Sequence, residues 1–528
     1  MKKISRLSKA AIIVAVSFGV NKLVAIARQL IIARQFGLSS DLDVFNVANN
    51  IPDLLYALIS GGALAVAIIP VMTEVMTRED RDAAWRVFSN VANIAFLVTV
   101  ILSVLVAVFA WPLVQHPLGI APGFNLSQQA LVVRLMRMDL IGTIIFSMAG
   151  LLIAGLQANQ HFLIPAIGPI LYNFGQIFGA LVLAPETGFS FGGMRLPAFG
   201  QGVDGLVYGV LIGSGLYFVI QIPALIKHGF KWAPGLDYKD EDVRKILRML
   251  APRVASMFFY QLTFIARDNL ASHLPLGSVT ALTYGWMILQ VPETLIGTAI
   301  GTALLPTLSE QIAKKENAEF TRTIRNVSRV LTALAIPSAI LLSVVLPPFL
   351  DFAFGFDAAG TDLMVWVTRA FLAGLLGHVF LELGARIFFA QQNAVIPLIG
   401  AGINLALYIL SGILLDAPLQ ASGLALADAI AFSGQALFLM LMYKARWKPA
   451  LDETAQVERP LRLSRNSVAN TFTRGLIGSL AGAAVVLLLG NVIGAALHPL
   501  VFGTLATAIS AAVALPFIWR EMKLLLRL

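Results

Sequence analysis

Charged side chains in the middle of apolar segments are the residues of this sequence best suited to chemistry. Arg28 lies in the apolar stretch 8–36, together with Lys22 on one small-or-polar side of a helix. A charge at the centre of a bilayer costs roughly 2.5–3.5 kcal/mol even on the insertion scale, so each one needs a partner or a function. Because a guanidinium donates two parallel hydrogen bonds to a phosphate, Arg28 and Lys22 predict recognition of an anionic group.

Acidic and amide side chains line up in the same way along the next apolar segment, 42–76. Seven polar residues fall on one side of it: Asp43, Asn46, Asn49, Asn50, Asp53, Tyr56 and Ser60. Two neighbouring helices with polar sides are expected to face water rather than lipid. Together they predict a hydrated cavity.

A third segment, 242–273, places polar residues near one face, while Arg267 points about 100° away from that face. Two interpretations of the arginines stay open. In the first, Arg28 and Arg267 neutralise Asp53 and Asp268 as inter-lobe ion pairs. In the second, the two arginines bind substrate. Both apply in turn if the ion pairs exchange with substrate during transport. The candidate cavity residues are Lys22, Arg28, Asp43, Asn50, Asp53, Arg253, Arg267 and Asp268.

Two further sets of charges lie in apolar segments. His378, Glu382 and Arg386 recur every four residues, so they stack on one helix face as a proton relay or as a static polar patch. Arg134 and Arg137, with Asp139 nearby, stand towards the outer end of their segment. We expect these arginines to snorkel to the outer headgroups.

The elements that hold these residues are transmembrane helices. Hydrophobic residues make up 58% of the 528 residues and charged residues 13%, which is the composition of a polytopic membrane protein. Cysteine is absent from the sequence, which excludes disulfides and thiol catalysis. No nucleotide-binding or hydrolase motif is present, so we expect no enzyme activity, no cofactor and no nucleic-acid partner.

Fourteen segments are long and apolar enough to span a bilayer. They are 8–36, 42–76, 86–114, 128–157, 160–184, 202–227, 242–273, 278–312, 322–352, 362–391, 394–415, 420–443, 472–497 and 499–522. The first is expected to remain as a span rather than to be cleaved as a signal peptide. Lysine and arginine cluster in alternate loops, which predicts that both termini are cytoplasmic. The net charge of +9 is then explained by the basic residues of the cytoplasmic loops.

The segment 61–74 returns as 297–310 with five identical positions, each copy after a second proline motif. Duplicated helices broken by glycine and proline indicate a transporter built from two structural repeats. The predicted gating positions are Pro52, Gly61, Gly62, Pro70, Pro292, Gly297 and Pro306. The fold is therefore all-α, with two six-helix lobes related by a pseudo-two-fold axis along the membrane normal. The lobes are 1–227 and 228–443, followed by a cytoplasmic linker 444–471 and a helix pair 472–528.

Several motifs resemble the MurJ (MviN) family of lipid II flippases, within the multidrug/oligosaccharidyl-lipid/polysaccharide (MOP) exporter superfamily. They are the segments 27–37, 43–48, 51–55, 62–63 with 69–71, 303–309 and 386–393. The sequence departs from the family pattern at Tyr56, Gly61, Met287, Gln290 and Asn393, where the family usually has charged residues. The resemblance covers essentially the whole chain.

The resemblance implies a flippase that moves a polyprenyl-diphosphate-linked peptidoglycan precursor between the leaflets of a bacterial cytoplasmic membrane by alternating access. It also implies that the protein contacts membrane lipids and that it is a monomer. Candidate Na⁺ or H⁺ coupling residues are Asp268, Glu382 and Asn393. The alternative is a sister transporter, either of another polyprenyl-linked oligosaccharide or of a small solute by cation-coupled antiport.

Overall fold

The computed structural model describes residues 6–59, 63–191, 193–457, 467–493 and 498–525. These residues form helices, apart from loops and one antiparallel hairpin of two-residue strands, β1 (Ser190–Phe191) and β2 (Met194–Arg195). The chain divides into two compact units, Met1–Leu276 and Gly277–Leu528. The prediction of an all-helical membrane protein is confirmed.

The described residues of the first unit form ten helices. They are α1 (Arg6–Phe36), α2 (Ser40–Ile59), α3 (Ala63–Arg78), α4 (Arg81–Val108), α5 (Ala110–Gln115), α6 (Leu126–Ala158), α7 (Leu163–Phe178, continued by a π-helical turn at Gly179–Leu183), α8 (Gly202–Val219), α9 (Ile222–Lys227) and α10 (Glu241–Ala271). Helix α6 packs against α2, α3, α4 and α8. A capping box at its start satisfies the first backbone N–H groups, since Asn125 and Gln128 bond each other's backbone.

Glycines bring α7 and α8 into backbone contact. A Cβ atom added at Gly175 would lie 2.3 Å from the Cα of Gly213, and one added at Gly179 would lie 2.7 Å from the Cα of Gly209. Small residues let helix backbones approach closely in a membrane, where packing rather than the hydrophobic effect drives association. This contact fixes α7, and with it the neighbouring helix α1.

We expect Gly175→Ala to destabilise the protein by about 1–3 kcal/mol, because the added methyl group must push α7 away from α8. The matched control is Gly215→Ala on α8, where an added Cβ has no atom within 4 Å. Thermal unfolding of both purified variants in detergent tests this contact. Equal melting temperatures would show that the two helices are free to separate.

Eight helices are present in the described part of the second unit. They are α11 (Ser278–Glu293, followed by a π-helical turn at Thr294–Thr298), α12 (Ala299–Ala313), α13 (Asn317–Phe354), α14 (Ala358–Ala373), α15 (Leu375–Ala390), α16 (Val395–Val457), α17 (Val468–Ile493) and α18 (Pro499–Leu525). Helices α17 and α18 pack against each other and against α13. Helix α15 packs against α12 and α16.

The α16 segment folds back on itself, so it accounts for two of the predicted spans. Gln420 has a positive φ of 50°, which marks the reversal. On either side of it, Gly434 lies against Leu407 and Gly400 lies against Gln435. The helix then continues to Val457, and α17 begins at Val468, so part of the polar segment 444–471 is helical.

The second of the two long duplicated segments is interrupted near a predicted position, and the first contains residues outside the described ranges. In the first, α2 ends at Ile59 and α3 begins at Ala63, while Gly61 and Gly62 lie outside the described residues. In the second, the π-helical turn Thr294–Thr298 contains Gly297 and follows Pro292. Single π turns inside α-helices are frequent at functional sites. A role of these interruptions in gating stays a prediction.

Ten helical segments in the described part of the chain are long and apolar enough to cross a membrane. Predicted spans one, two and seven are not among them, and these are the three segments whose polar residues predicted a cavity. Their helices α1, α2 and α10 are present. The segment Val395–Arg446 is one of the ten and holds two predicted spans.

Candidate functional site

A buried carboxylate joins α2 to α10 in the first unit. Asp268 is 0% exposed and accepts a hydrogen bond from the Asn50 side-chain amide through Oδ2. Its other oxygen, Oδ1, lies 2.9 Å from the Arg267 Nε atom, and the Arg267 side chain is only 11% exposed. A buried charge is tolerated when it is paired and hydrogen-bonded, and Asp268 meets both conditions.

The position of Arg267 corrects the sequence-based expectation. Neighbouring residues on a helix point about 100° apart, so Arg267 was expected to point away from the face of Asp268. The arginine side chain is long enough to curve around the helix and reach the adjacent carboxylate. The ion pair therefore lies within one helix and is not an inter-lobe pair.

A second cluster in the first unit surrounds Arg28. Its guanidinium, on α1, is close enough to act electrostatically on Asp53 of α2 and on Tyr172 of α7. Asp139 of α6 acts on the same tyrosine and is itself influenced by Asp53. Asp53, Asp139 and Arg28 therefore all lie within electrostatic range of Tyr172. This arrangement can bind a cation, a proton or an anionic group, depending on whether the two carboxylates are ionised or protonated.

Aromatic rings pack beside this cluster. Phe146 lies 4.6 Å from Tyr56, 4.5 Å from Tyr172 and 4.8 Å from Tyr217, measured between ring centroids. Apolar rings at one side of the polar groups lower the local dielectric constant there, which strengthens electrostatic interactions. The hydroxyl groups of the three tyrosines are the polar atoms of this aromatic cluster.

The other predicted cavity residues of the first unit occupy different environments. Lys22 is exposed on α1, whereas Asp43 is 2% exposed in the first turn of α2. Arg253 lies on α10, and its side chain is outside the described residues. Asp53 is exposed, and its backbone carbonyl accepts a hydrogen bond from Gln261 of α10 at 3.5 Å. A contact between Asn173 and Asn21 at 2.9 Å joins α7 to α1.

The outer-end arginines of α6 are exposed. Arg134 forms an ion pair with Asp204 at 2.7 Å, and Arg137 donates to the Ala107 carbonyl at 2.9 Å. Asp139 differs from them because it is 5% exposed. Sequence reasoning grouped Asp139 with the surface charges and missed it as a site residue. A lone carboxylate in an apolar span was the available signal.

In the second unit, His378 and Asp428 form a buried pair. His378 Nε2 lies 3.0 Å from Asp428 Oδ2, and both side chains are less than 10% exposed. The imidazole ring stacks on Phe432 at 4.0 Å and meets Trp286 edge-on at 5.4 Å. Sequence reasoning selected His378 and missed its partner Asp428, another lone acid in an apolar span.

Two further carboxylates lie near this pair. Glu382, one turn after His378, forms an ion pair with Arg386 at 3.0 Å, as the i, i+4 spacing predicted. Glu293 accepts hydrogen bonds from Thr298 at 3.0 Å and from Thr294 at 3.3 Å, within the π-helical turn. Gly297 in that turn packs against Val379, next to His378. Glu293 therefore contacts the π-helical turn directly, and Val379, the residue after His378, packs against the same turn.

The remaining predicted positions are placed as follows. Asn393 accepts hydrogen bonds from the backbone N–H groups of Val395 at 3.1 Å and of Ile396 at 3.2 Å, so it caps the start of α16. Pro52 and Pro292 are buried inside helices, while Pro70 and Pro306 are exposed. Over the described ranges, no group of three or more His, Asp or Glu side chains is arranged to hold a metal ion.

Comparisons with known proteins agree with this architecture. A family model described as lipid II flippase MurJ matches residues 32–516. The lipid II flippase MurJ of Burkholderia cenocepacia is 28% identical over 387 residues, which are 71% of this chain and 72% of that protein. The probable lipid II flippase MurJ of Haemophilus influenzae is 27% identical over 437 residues, 79% of this chain and 82% of that protein.

Solved structures share the fold. A lipid II flippase MurJ in an inward closed conformation aligns with a TM-score of 0.74 at 20% identity, covering 96% of this chain and 99% of the other. An inward-facing multidrug resistance MATE transporter of the MOP superfamily aligns with a TM-score of 0.65 at 13% identity, covering 84% and 100%. Fold and buried charges together define a polytopic membrane transporter.

The match over most of the chain also assigns the family. This protein belongs to the MurJ family of lipid II flippases. The family predicted from the motifs is confirmed, and a role in peptidoglycan biosynthesis follows from it.

Proposed function

We propose that this protein moves lipid II, a polyprenyl-diphosphate-linked peptidoglycan precursor, from the inner to the outer leaflet of a bacterial cytoplasmic membrane. The observation that supports this most directly is Arg28 in a polar cluster of the first unit, within a chain that matches the flippase family over 32–516. A guanidinium binds diphosphate oxygens through parallel, charge-assisted hydrogen bonds. Lys22, exposed on the same helix, adds a second cation.

Substrate binding must compete with the carboxylates around Arg28. In the substrate-free protein, Asp53 balances the charge of the guanidinium. An arriving diphosphate takes over that role, and Asp53 is then released or protonated, because two anions at one cation repel each other. This exchange gives the protein a reason to change conformation when the headgroup binds.

The interrupted helices supply the place where the backbone can bend. The π-helical turn after α11 lies in the second copy of the duplicated segment, at positions equivalent to 58–62 of the first copy. Alternating access requires a helix to bend without losing its hydrogen bonds, and interrupted helices permit this. We therefore assign the gating role to Pro52, Pro292 and Gly297 in the described helices.

A proton is the coupling ion that the second unit supports best. His378, Asp428, Glu382 and Glu293 are titratable, and Arg386 is the cation that faces them from α15. The aromatic rings of Trp286 and Phe432 shield the imidazole. Protonation of His378 would strengthen its contact with Asp428, and Gly297 packs one residue away, at Val379.

We expect His378→Gln to remove the response of transport to a pH gradient and to slow transport about tenfold, a coupling free energy of ~1.4 kcal/mol. Glutamine keeps a hydrogen bond to Asp428 but cannot titrate. Rates in proteoliposomes with and without a pH gradient, at constant membrane potential, measure this. The control is His498→Gln, an exposed histidine beside Phe352 in the same unit. An unchanged gradient response in His378→Gln would exclude the pair as the coupling site.

Complementation tests the proposed activity itself. The wild-type gene is expressed in a bacterium whose own lipid II flippase can be switched off, and outer-leaflet lipid II is measured. Growth and outward transport are expected. Good expression without rescue would favour the alternative, a sister transporter for another polyprenyl-linked oligosaccharide or a cation-coupled small-solute antiporter. The acids Asp53, Asp139 and Asp268 in the first unit would then bind a cationic solute.

The proposed topology places both termini in the cytoplasm. The basic loops support this orientation through the positive-inside rule. We further propose that the protein works as a monomer. Surface labelling of cysteines introduced at positions 229 and 355 tests the orientation, since these loops should be reached from opposite sides of the membrane.

A further inference from the structure

A cavity of about 560 Å³ lies where α17 begins and α18 ends, and it is separate from the clusters described above. Its lining combines two arginines, one amide and three apolar or aromatic residues: Asn470, Arg474, Pro516, Phe517, Trp519 and Arg520. The volume falls in the range of about 300–1,000 Å³ that is typical of small-molecule sites. A basic and aromatic lining predicts an anionic ligand.

The Arg474 side chain is held in place by protein contacts. Its Nη2 atom donates a hydrogen bond to the Phe517 carbonyl, which ties α17 to α18. Its Nη1 atom lies 3.7 Å from Glu521 Oε1, too far for a hydrogen bond. The guanidinium is 23% exposed, so it is oriented in advance while still reaching the cavity.

The Glu521 carboxylate does not balance the positive charge of the arginines beside the cavity. Glu521 is 0% exposed and accepts from Arg329 of α13 at 2.9 Å and from Thr471 at 3.0 Å. One acid therefore faces the two guanidinium groups of Arg329 and Arg474. Arg520, on the cavity wall, adds a third, and within the described part of the chain it belongs to no ion pair. An excess of positive charge beside a cavity favours a bound anion.

The cavity also lies at the depth of lipid headgroups. Both α17 and α18 include a candidate membrane span, and the cavity is built from the first turns of one and the last turns of the other. Trp519 is exposed there, and the Lys523 ammonium stands 5.7 Å from its ring centroid. Tryptophan and lysine at helix ends are typical anchors in the headgroup region.

We propose that this cavity binds the phosphate of an anionic membrane phospholipid, such as phosphatidylglycerol. Arg474 and Arg520 donate hydrogen bonds to the phosphate oxygens, Asn470 contacts the polar headgroup, and Trp519 packs against the glycerol region. The acyl chains extend along the apolar outer faces of α17 and α18. Basic pockets between transmembrane helices are known to hold such headgroups. The bound lipid would fix the helix pair against α13.

The test measures phosphatidylglycerol retained by the full-length protein in native mass spectrometry, with phosphatidylethanolamine as the reference lipid. Arg520→Gln is the principal variant, because Arg520 is exposed and its replacement should leave the fold intact. We expect it to weaken phosphatidylglycerol retention about tenfold, or ~1.4 kcal/mol. Arg474→Gln should weaken it at least as much. Wild-type retention by Arg520→Gln would overturn the proposal.

Arg369→Gln is the matched control. Arg369 is another arginine near a tryptophan in the same unit, with its guanidinium 5.3 Å from the Trp366 ring, and it donates to the Ser343 carbonyl at 3.0 Å. It does not line the cavity. Its replacement should leave phosphatidylglycerol retention unchanged. An equal loss in this control would mean that any arginine–tryptophan pair retains the lipid, and the assignment to this cavity would be wrong.

Two competitors identify the source of the phosphate. Inorganic phosphate, added in excess, should not displace phosphatidylglycerol, because it lacks the acyl chains. Undecaprenyl diphosphate should bind to Arg520→Gln as well as to the wild type if its headgroup site is at Arg28. If either competitor displaces phosphatidylglycerol at equal concentration in the wild type, the cavity is a general phosphate site or part of the substrate path, and the phospholipid assignment fails.

Discussion

Arg28→Ala is expected to slow lipid II transport about 100-fold or more while the protein still inserts and folds. The loss corresponds to ~2.7 kcal/mol, which is the size of one strong charge-assisted interaction or of two weaker hydrogen bonds. The side chain is half-buried beside Asp53, so its removal leaves the carboxylates of the first unit without their cation. The diphosphate would then meet the carboxylates without the guanidinium that binds its oxygens.

Two variants make this measurement decisive. Arg28→Lys keeps the charge but loses the planar pair of donors, so it should retain an intermediate rate, about tenfold below the wild type. Arg137→Ala removes an exposed arginine of the same unit that contacts a backbone carbonyl, and it should transport normally. The assay is the appearance of lipid II in the outer leaflet, at matched protein levels. Normal transport by Arg28→Ala would remove this residue from the mechanism.

Arg267→Gln should cost about 3–5 kcal/mol of stability, because it leaves the buried Asp268 carboxylate with one neutral partner, Asn50. Asp268→Asn should also be destabilising, since Arg267 then lacks its anion. The double variant should recover much of the loss, because neither charge remains. A double-mutant cycle isolates this coupling.

The comparison pair for this cycle is Arg322 and Glu319 on α13. They also form an ion pair within one helix, at 3.0 Å, but both side chains are more than half exposed. Breaking an exposed pair costs about 0–1 kcal/mol. Unfolding of the variants in detergent measures both losses. If Arg267→Gln costs no more than Arg322→Gln, water reaches Asp268 and the structural role of the pair is refuted.

The two interpretations of the buried arginines can now be separated by residue. Arg267 pairs with its neighbour on α10, which favours a structural role in this conformation. Arg28 acts on Asp53 of α2 and on Tyr172 of α7, which favours exchange of its carboxylate partner with a substrate. The sequence left this choice open because both arginines have the same chemistry and similar flanking residues.

The sequence predicted helix ends and interruptions well where local chemistry determines them. The π-helical turn at Thr294–Thr298 and the Glu382–Arg386 pair both follow from residues that are near one another in the chain. The departures came from contacts between helices. Asp139 was grouped with surface charges, although helix packing buries it. Asp428 was not selected, because its partner His378 is 50 residues away in sequence.

The sequence by itself determined that this protein crosses a membrane many times, which segments are polar enough to face water, and to which family it belongs. These properties depend on the length and polarity of each segment, which the bilayer constrains directly. Only the tertiary structure decided which charges meet: Asn50 with Asp268, Arg28 with Asp53, His378 with Asp428, and Arg474 with the cavity beside Trp519. The reason is geometric. Each residue turns a helix by about 100°, so partners on different helices depend on rotation and register, which only packing fixes.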